Sequence, residues 1–219
     1  MNAPLTSPRA RRAGFTLVEI AVSAAVLGLV MLTVGLVTMS GNKAYNAGMS
    51  RSRLGTQAQR ALERIVSELE MAGVGGLTPV PTAPAGSSTL TFRTPQSFTS
   101  GVVGWGSSTR IEFQYTAADP NDGADDDGDG FVDEGVVVLT RDVGLGTETT
   151  TVLANGASEF GAGELVNALD DDGDGLVDER GLSFVLLGDR LTVSLTLVAR
   201  DPNGAPFTHT VSTSIKIRN

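Results

Sequence analysis

Arg9-Ala10-Arg11-Arg12-Ala13-Gly14-Phe15-Thr16-Leu17-Val18-Glu19 opens onto an almost wholly apolar run that continues to Met39. The basic cluster and the small residue Gly14 precede the apolar segment. A secretory signal has the reverse order, with its cleavage site after an apolar core of roughly 7–15 residues. As a helix rising ~1.5 Å per residue, residues 15–39 extend about 37 Å, enough to cross a bilayer with some tilt. Three arginines lie before the run and no basic residue follows until Lys43. The positive-inside bias therefore puts residues 1–14 in the cytoplasm and the rest outside. Glu19 is a carboxylate inside the apolar run. An ionised side chain at the centre of a membrane helix costs about 2.5–3.5 kcal/mol on insertion scales, so Glu19 calls for a role.

After Gly41 the pattern turns amphipathic. Leu54, Ala58, Leu62, Ile65, Leu69 and Ala72 recur at helical spacing, with Gln57, Arg60, Glu63, Arg64, Ser67, Glu68 and Glu70 on the other sides. This predicts a continuation of the membrane helix whose inner stripe packs on a soluble domain. It stops near Gly73, before Gly75, Gly76, Pro79, Pro81 and Pro84. From Ser88 the signals are β: short branched or aromatic runs at 89–93, 110–115, 135–141 and 183–187. A hairpin is predicted from the alternation of Leu191, Val193, Leu195 and Leu197 and of Phe207, His209, Val211, Thr213, Ile215 and Ile217, across the turn-rich 201–206. The expected class is α+β: a long N-terminal helix, half membrane-spanning and half amphipathic, packed on an antiparallel β-sheet head.

The block at 9–19 and its apolar continuation resemble the class III leader of type IV prepilins and type II secretion pseudopilins. Arg60-Ala61-Leu62-Glu63-Arg64 and Glu68-Leu69-Glu70-Met71-Ala72-Gly73 resemble the helix end of W-type minor pilins and J-type pseudopilins. Thr213-Ser214-Ile215-Lys216-Ile217-Arg218-Asn219 resembles their closing strand. The resemblance implies that a prepilin peptidase cuts after Gly14 and methylates the new terminal residue, Phe15. It implies that Glu19 pairs with the free amine of Phe15 on a neighbouring subunit, neutralising both charges in an apolar bundle. The chain then divides into a leader (1–14), a transmembrane and assembly helix (15–40), its amphipathic continuation (41–73) and a β-rich head (74–219). The implied function is that of a minor type IV pilin-like subunit, assembling with other pilins through its helix into a pilus or pilus-like filament. A J-type pseudopilin of type II secretion is an alternative. A membrane-tethered, calcium-dependent adhesin or enzyme is an alternative of another class. The implied location is the bacterial inner membrane, single-pass with the head outside, then a filament at the cell surface or in the periplasm.

An internal repeat recurs at a 45-residue offset. Asp125-Asp126-Asp127-Gly128-Asp129-Gly130-Phe131-Val132-Asp133-Glu134 matches Asp170-Asp171-Asp172-Gly173-Asp174-Gly175-Leu176-Val177-Asp178-Glu179, with Phe131 against Leu176 the one difference. Acids at positions 1, 3, 5 and 9 (Asp125, Asp127, Asp129, Asp133; Asp170, Asp172, Asp174, Asp178) and glycine at 6 suit a calcium loop. The position-7 carbonyls of Phe131 and Leu176 supply a further oxygen. Position 12 is Val136 or Gly181, so these are not EF-hands. The loops resemble the isolated Asp-rich calcium loops of thrombospondin type 3 or dockerin repeats. Glu134 and Glu179 are the expected replacements for the missing ligand, and Asp122 and Asn167 are weaker candidates. Two calcium sites are expected; magnesium, which keeps much of its hydration shell, fits less well.

The net charge of −9 mixes unlike parts. Eight acids fall in 119–134 and six in 170–179, without a base in either, leaving a nearly neutral body. No broad basic patch is present, so no direct nucleic-acid contact is expected. Cysteine is absent, which excludes a disulfide framework. Neither a nucleophile motif nor a phosphate loop is found, and no enzyme activity is expected. The single histidine, His209, is in phase with the apolar face of its strand and reads as sheet packing. Trp105, in a Gly/Ser-rich stretch read as a loop, is either a contact residue or a loop anchor.

Overall fold

The computed structural model describes residues 14–173 and 175–217. One compact unit ends at Tyr45 and the other is Asn46–Asn219. Helix α1, Leu17–Leu69, contributes to both. In its first part every residue from Leu17 to Lys43 is exposed, and this helix is long and apolar enough to cross a membrane, with a mean hydropathy of 2.5 over its best window.

Within the second unit the amphipathic stripe is buried as its periodicity predicts. Leu54, Ala58, Leu62, Ile65 and Leu69 are all in the core, joined by Ala61, and Ala72 is buried just past the helix end. The stripe lies among Leu90, Phe92, Ile111, Val137, Leu139, Phe184, Leu191, Val193, Leu195 and Leu197, the inward residues of the sheet. Glu68 is buried on the same helix because two guanidinium groups reach it, Arg64 at 2.9 Å and Arg141 from the sheet. The helix ends at Leu69, four residues before the predicted stop. A short 3-10 turn at Val74–Gly76 follows.

Seven strands form one antiparallel sheet: β1 (Thr89–Thr99), β2 (Val102–Tyr115), β3 (Gly135–Arg141), β4 (Thr149–Ala157), β5 (Leu182–Leu187), β6 (Arg190–Arg200) and β7 (Pro206–Lys216). Consecutive hairpins join β1 to β4. On one side of β6, β7 pairs along its whole length, Arg190↔Lys216 to Arg200↔Pro206. A strand has only two edges, so β5 and β4 share the other: β5 takes Arg190–Leu195 and β4 meets it at Ala157↔Leu197. The predicted terminal hairpin therefore forms, as β6 and β7. Strand β4 was not expected: Thr149-Thr150-Thr151 and Asn155-Gly156 dilute its apolar signal, and it forms by pairing with β3 along its length.

Two sequence readings are corrected. Trp105 lies in strand β2, opposite Pro95, rather than in a loop. Its indole covers Gly75 and Gly76, where an added Cβ would come within 3.3 Å and 3.0 Å of the ring. His209 remains exposed on β7 rather than entering the sheet core. Its imidazole lies over the helix at Gly55, with Nε2 3.2 Å from where a Cβ would stand.

Candidate functional sites

Gly14 is exposed, with open space around the position of a Cβ. Nothing among the described residues crowds that position. Phe15 is 83% exposed. Thr16 and Glu19 form a reciprocal cap: Thr16 N–H donates to Glu19 Oε2 at 3.1 Å, and Glu19 N–H donates to Thr16 Oγ1 at 3.3 Å. Thr16-Leu17-Val18-Glu19 is thus a capping box, a signal that sequence reading missed by weighing Glu19 only as a membrane charge. The cap holds the carboxylate at the first turn, where the helix dipole favours negative charge.

Residues 9–35 match the family model described as the prokaryotic N-terminal methylation motif. The chain carries a prepilin-type leader. The match covers the end of the basic segment, Gly14 and the first part of the apolar helix, a helix long and apolar enough to cross a membrane. No curated protein matches the chain, and no solved structure does. The leader residues before Gly14 lie outside the described residues.

The two acidic repeats occupy equivalent places in the head. The first is the loop between β2 and β3, closed at its base by the pair Tyr115↔Gly135. The second joins β4 to β5 and is closed by the bridge Phe160↔Arg180. Between the two bases, Glu159 accepts hydrogen bonds from Tyr115 Oη at 2.9 Å and from Arg180. Burial first, and then the hydrogen bond and charge of Glu159, push the Tyr115 phenol up to about 12.

Both loops fold on their own carboxylates. Asp125 accepts from Gly128 and Gly130 N–H at 2.7 and 2.8 Å, and Asp170 from Gly173 and Gly175 at 2.7 and 2.9 Å. Gly130 (φ +88°) and Gly175 (φ +94°) are left-handed, which explains glycine at position 6 in both copies. Asp133 Oδ1 accepts from Asp122 and Gly123 N–H, each at 3.1 Å, and Asp178 Oδ1 accepts from Asn167 and Ala168 N–H, each at 3.0 Å. Asp122 and Asn167 are also equivalent, accepting from Ala124 and Leu169 N–H.

Among the predicted ligands, Asp125, Asp127 and Asp129 come together, one oxygen of each within 4.8 Å of the others. Phe131 follows them, its N–H on Asp129 Oδ1 at 2.9 Å and its ring 5.8 Å from the Arg200 guanidinium. In the second loop Asp170 and half-buried Leu176 hold the corresponding places; Asp174 lies outside the described residues. Asp172 and Glu179 instead converge with Glu164, again within 4.8 Å. Glu164 was missed by the sequence reading, as was its counterpart Asp119. Each is an acid six residues before its loop, related by the same 45-residue offset.

These two earlier acids are buried and organise the loops from inside. Asp119 accepts from Asp126 and Glu134 N–H at 3.2 and 2.9 Å; Glu164 accepts from Asp172 and Asp178 N–H, each at 3.1 Å. Burial opposes the Asp119 charge, but the N–H groups and the carboxyl of Glu134 outweigh it and hold Asp119 below the usual carboxylate range. Burial, followed by the hydrogen bond to Asp119, pushes Glu134 up to about 7. The charge of Asp122, with burial and Asp119, also pushes Asp126 up. These hard, oxygen-only clusters have the donor set a divalent cation such as calcium takes.

Proposed function

We propose that the protein is a minor subunit of a type IV pilin-like filament, assembled through its N-terminal helix and carrying a β-rich head braced by calcium. The observation that carries this reading is the methylation motif running directly into a helix exposed on every side from Leu17 to Lys43. A helix apolar all round is stable in lipid or against other apolar helices. Helices of neighbouring pilins supply the second environment when the subunit leaves the membrane. In this reading the peptidase removes residues 1–14, Phe15 is methylated, residues 15–40 anchor and assemble, and 41–73 carry the head outside the cytoplasm. The cap from Thr16, which holds Glu19 at the first turn, supports a role for it beside the amine that cleavage would create at Phe15. It pairs with that amine on a neighbouring subunit.

Calcium in the two acidic loops is supported by the convergence of Asp125, Asp127 and Asp129, and of Asp172 with Glu179 and Glu164. Like charges so close repel unless a cation lies among them. The decisive experiment is recovery of the mature chain, beginning at methylated Phe15, in filaments sheared from cells. Retention of the processed chain in the membrane while filaments form without it would remove the assembly role and leave a tethered head. Loss of protein export rather than of surface filaments on deletion would favour the J-type pseudopilin.

A further inference from the structure

Residues 41–62 carry Lys43, Arg51, Arg53 and Arg60 and no acid, in a chain whose net charge is −9. Arg53 and Arg60 are two helical turns apart, so they project from one face of α1 about 10 Å from each other. That face borders a groove of about 420 Å³ lined by Ser52, Arg53, Thr56, Gln57, Arg60 and Leu153. The groove lies where β4 parts from β6, which it meets only at Ala157↔Leu197. Gln57 Nε2 reaches across to the Asn155 carbonyl at 3.0 Å. Arg64, one turn further on, is paired with Glu68, whereas neither Arg53 nor Arg60 has an ion pair among the described residues. Two guanidinium groups in a groove without an acid suit carboxylates.

The chain itself carries the complementary surface. The first acidic loop holds eight acids and no base between 119 and 134, and residues 120–130 are all exposed. One divalent ion in that loop neutralises two of the eight and leaves six. The two repeats also differ on their outer side. In the second, Asn167 Nδ2 donates to both oxygens of Asp171, at 3.1 and 2.8 Å. In the first, Asp122 stands in place of that amide, and no donor among the described residues reaches the exposed carboxylate of Asp126. Asp126 is also outside the cluster of Asp125, Asp127 and Asp129. We infer that the groove between α1 and β4 receives the first acidic loop of a second copy of this chain, with Arg53 and Arg60 supplying the donors that Asp126 lacks. The contact joins two different patches, so it is heterologous and repeats from copy to copy instead of closing a two-fold pair. It rests on the assembly reading above and deepens it, adding a contact between heads to the packing of helices.

The chain has no cysteine, so introduced thiols are the only ones it carries. Two forms of the full chain, one bearing an epitope tag, are co-expressed: Thr56→Cys in the groove and Asn121→Cys on the loop, both at exposed positions. A short bismaleimide applied to membranes and to sheared filaments should join them into a mixed dimer. Arg53→Glu with Arg60→Glu in the groove copy should lower the yield about tenfold, and Asp126→Lys in the loop copy should restore part of it. The cysteine pair alone decides the matter if the charge-reversed chain fails to fold. No mixed dimer overturns the inference, whether the groove is bare or holds another acidic protein. A yield no higher than that of Glu70→Cys with Asn121→Cys, or one indifferent to charge reversal, does the same. Filaments that contain the mature chain without the mixed dimer overturn this contact and leave the assembly reading standing. The mixed dimer in membranes, with the chain absent from filaments, keeps the contact and removes that reading.

Discussion

At the scale of single residues, Gly14 and Glu19 separate folding from recognition. A Cβ at Gly14 meets open space, so Gly14→Val is expected to fold and insert normally yet accumulate as uncleaved precursor. Mass spectrometry of the membrane fraction checks this, and a mature terminus other than Phe15 in the unaltered protein would contradict the assignment. Glu19 has two roles that mutation can divide. Thr16→Ala removes the hydroxyl of the capping box but keeps the carboxylate, and costs about 0.5–2 kcal/mol of helix stability. Glu19→Ala removes the carboxylate itself. Processing of both is expected, with incorporation into filaments lost only for Glu19→Ala; equal incorporation would reduce Glu19 to a cap. Tyr115 gives a readout at the loop bases. Its phenol is pushed up to about 12 by burial and Glu159, against ~10 unfolded. The neutral phenol is the form the fold favours, so its contribution to stability is complete below pH 10 and is lost as pH rises through 12. Absorbance at 295 nm should show one tyrosine ionising near pH 12. No tyrosine ionising near pH 12 would contradict the Tyr115–Glu159–Arg180 network.

At the scale of elements, α1 does two jobs with one continuous backbone. Its second part is held by a narrow stripe, and Ile65 at its centre is fully buried. Ile65→Ala is expected to destabilise the unit beginning at Asn46 by about 2–5 kcal/mol, measured by denaturant unfolding. Leu29→Ala, exposed in α1, makes no such contact and tests assembly alone. The acidic loops are the second kind of element. They are long for connections in a compact domain, and both are organised by carboxylates accepting backbone N–H groups. Calcium at about 100 times Kd adds ~2.7 kcal/mol per independent site to the folded state. Melting should therefore rise on adding calcium after EDTA, and Asp127→Ala with Asp172→Ala should remove most of the rise. An unchanged melting temperature would reduce both loops to solvated turns.

At the scale of the whole molecule, local sequence determined what depends on short-range chemistry. The order basic cluster, Gly14, apolar run follows from bilayer physics. The stripe Leu54, Ala58, Leu62, Ile65, Leu69 follows from helical period, and the β6–β7 hairpin from two alternating runs about a turn-rich connector. The fold class was legible for these reasons, and so were Asp125, Asp127 and Asp129, whose spacing is itself the geometry of the loop. Tertiary structure decided the rest. Strand β4 exists because β3 offers it hydrogen bonds, Trp105 is ordered because Gly75 and Gly76 leave it a floor, and His209 lies over α1 because Gly55 has no side chain. Asp119 and Glu164 acquire meaning only when the strands close the loop bases and turn these acids inward, towards N–H groups seven to fifteen residues away. Periodicity reports which face of an element is apolar, but burial of a carboxylate depends on segments that only the closed sheet brings together.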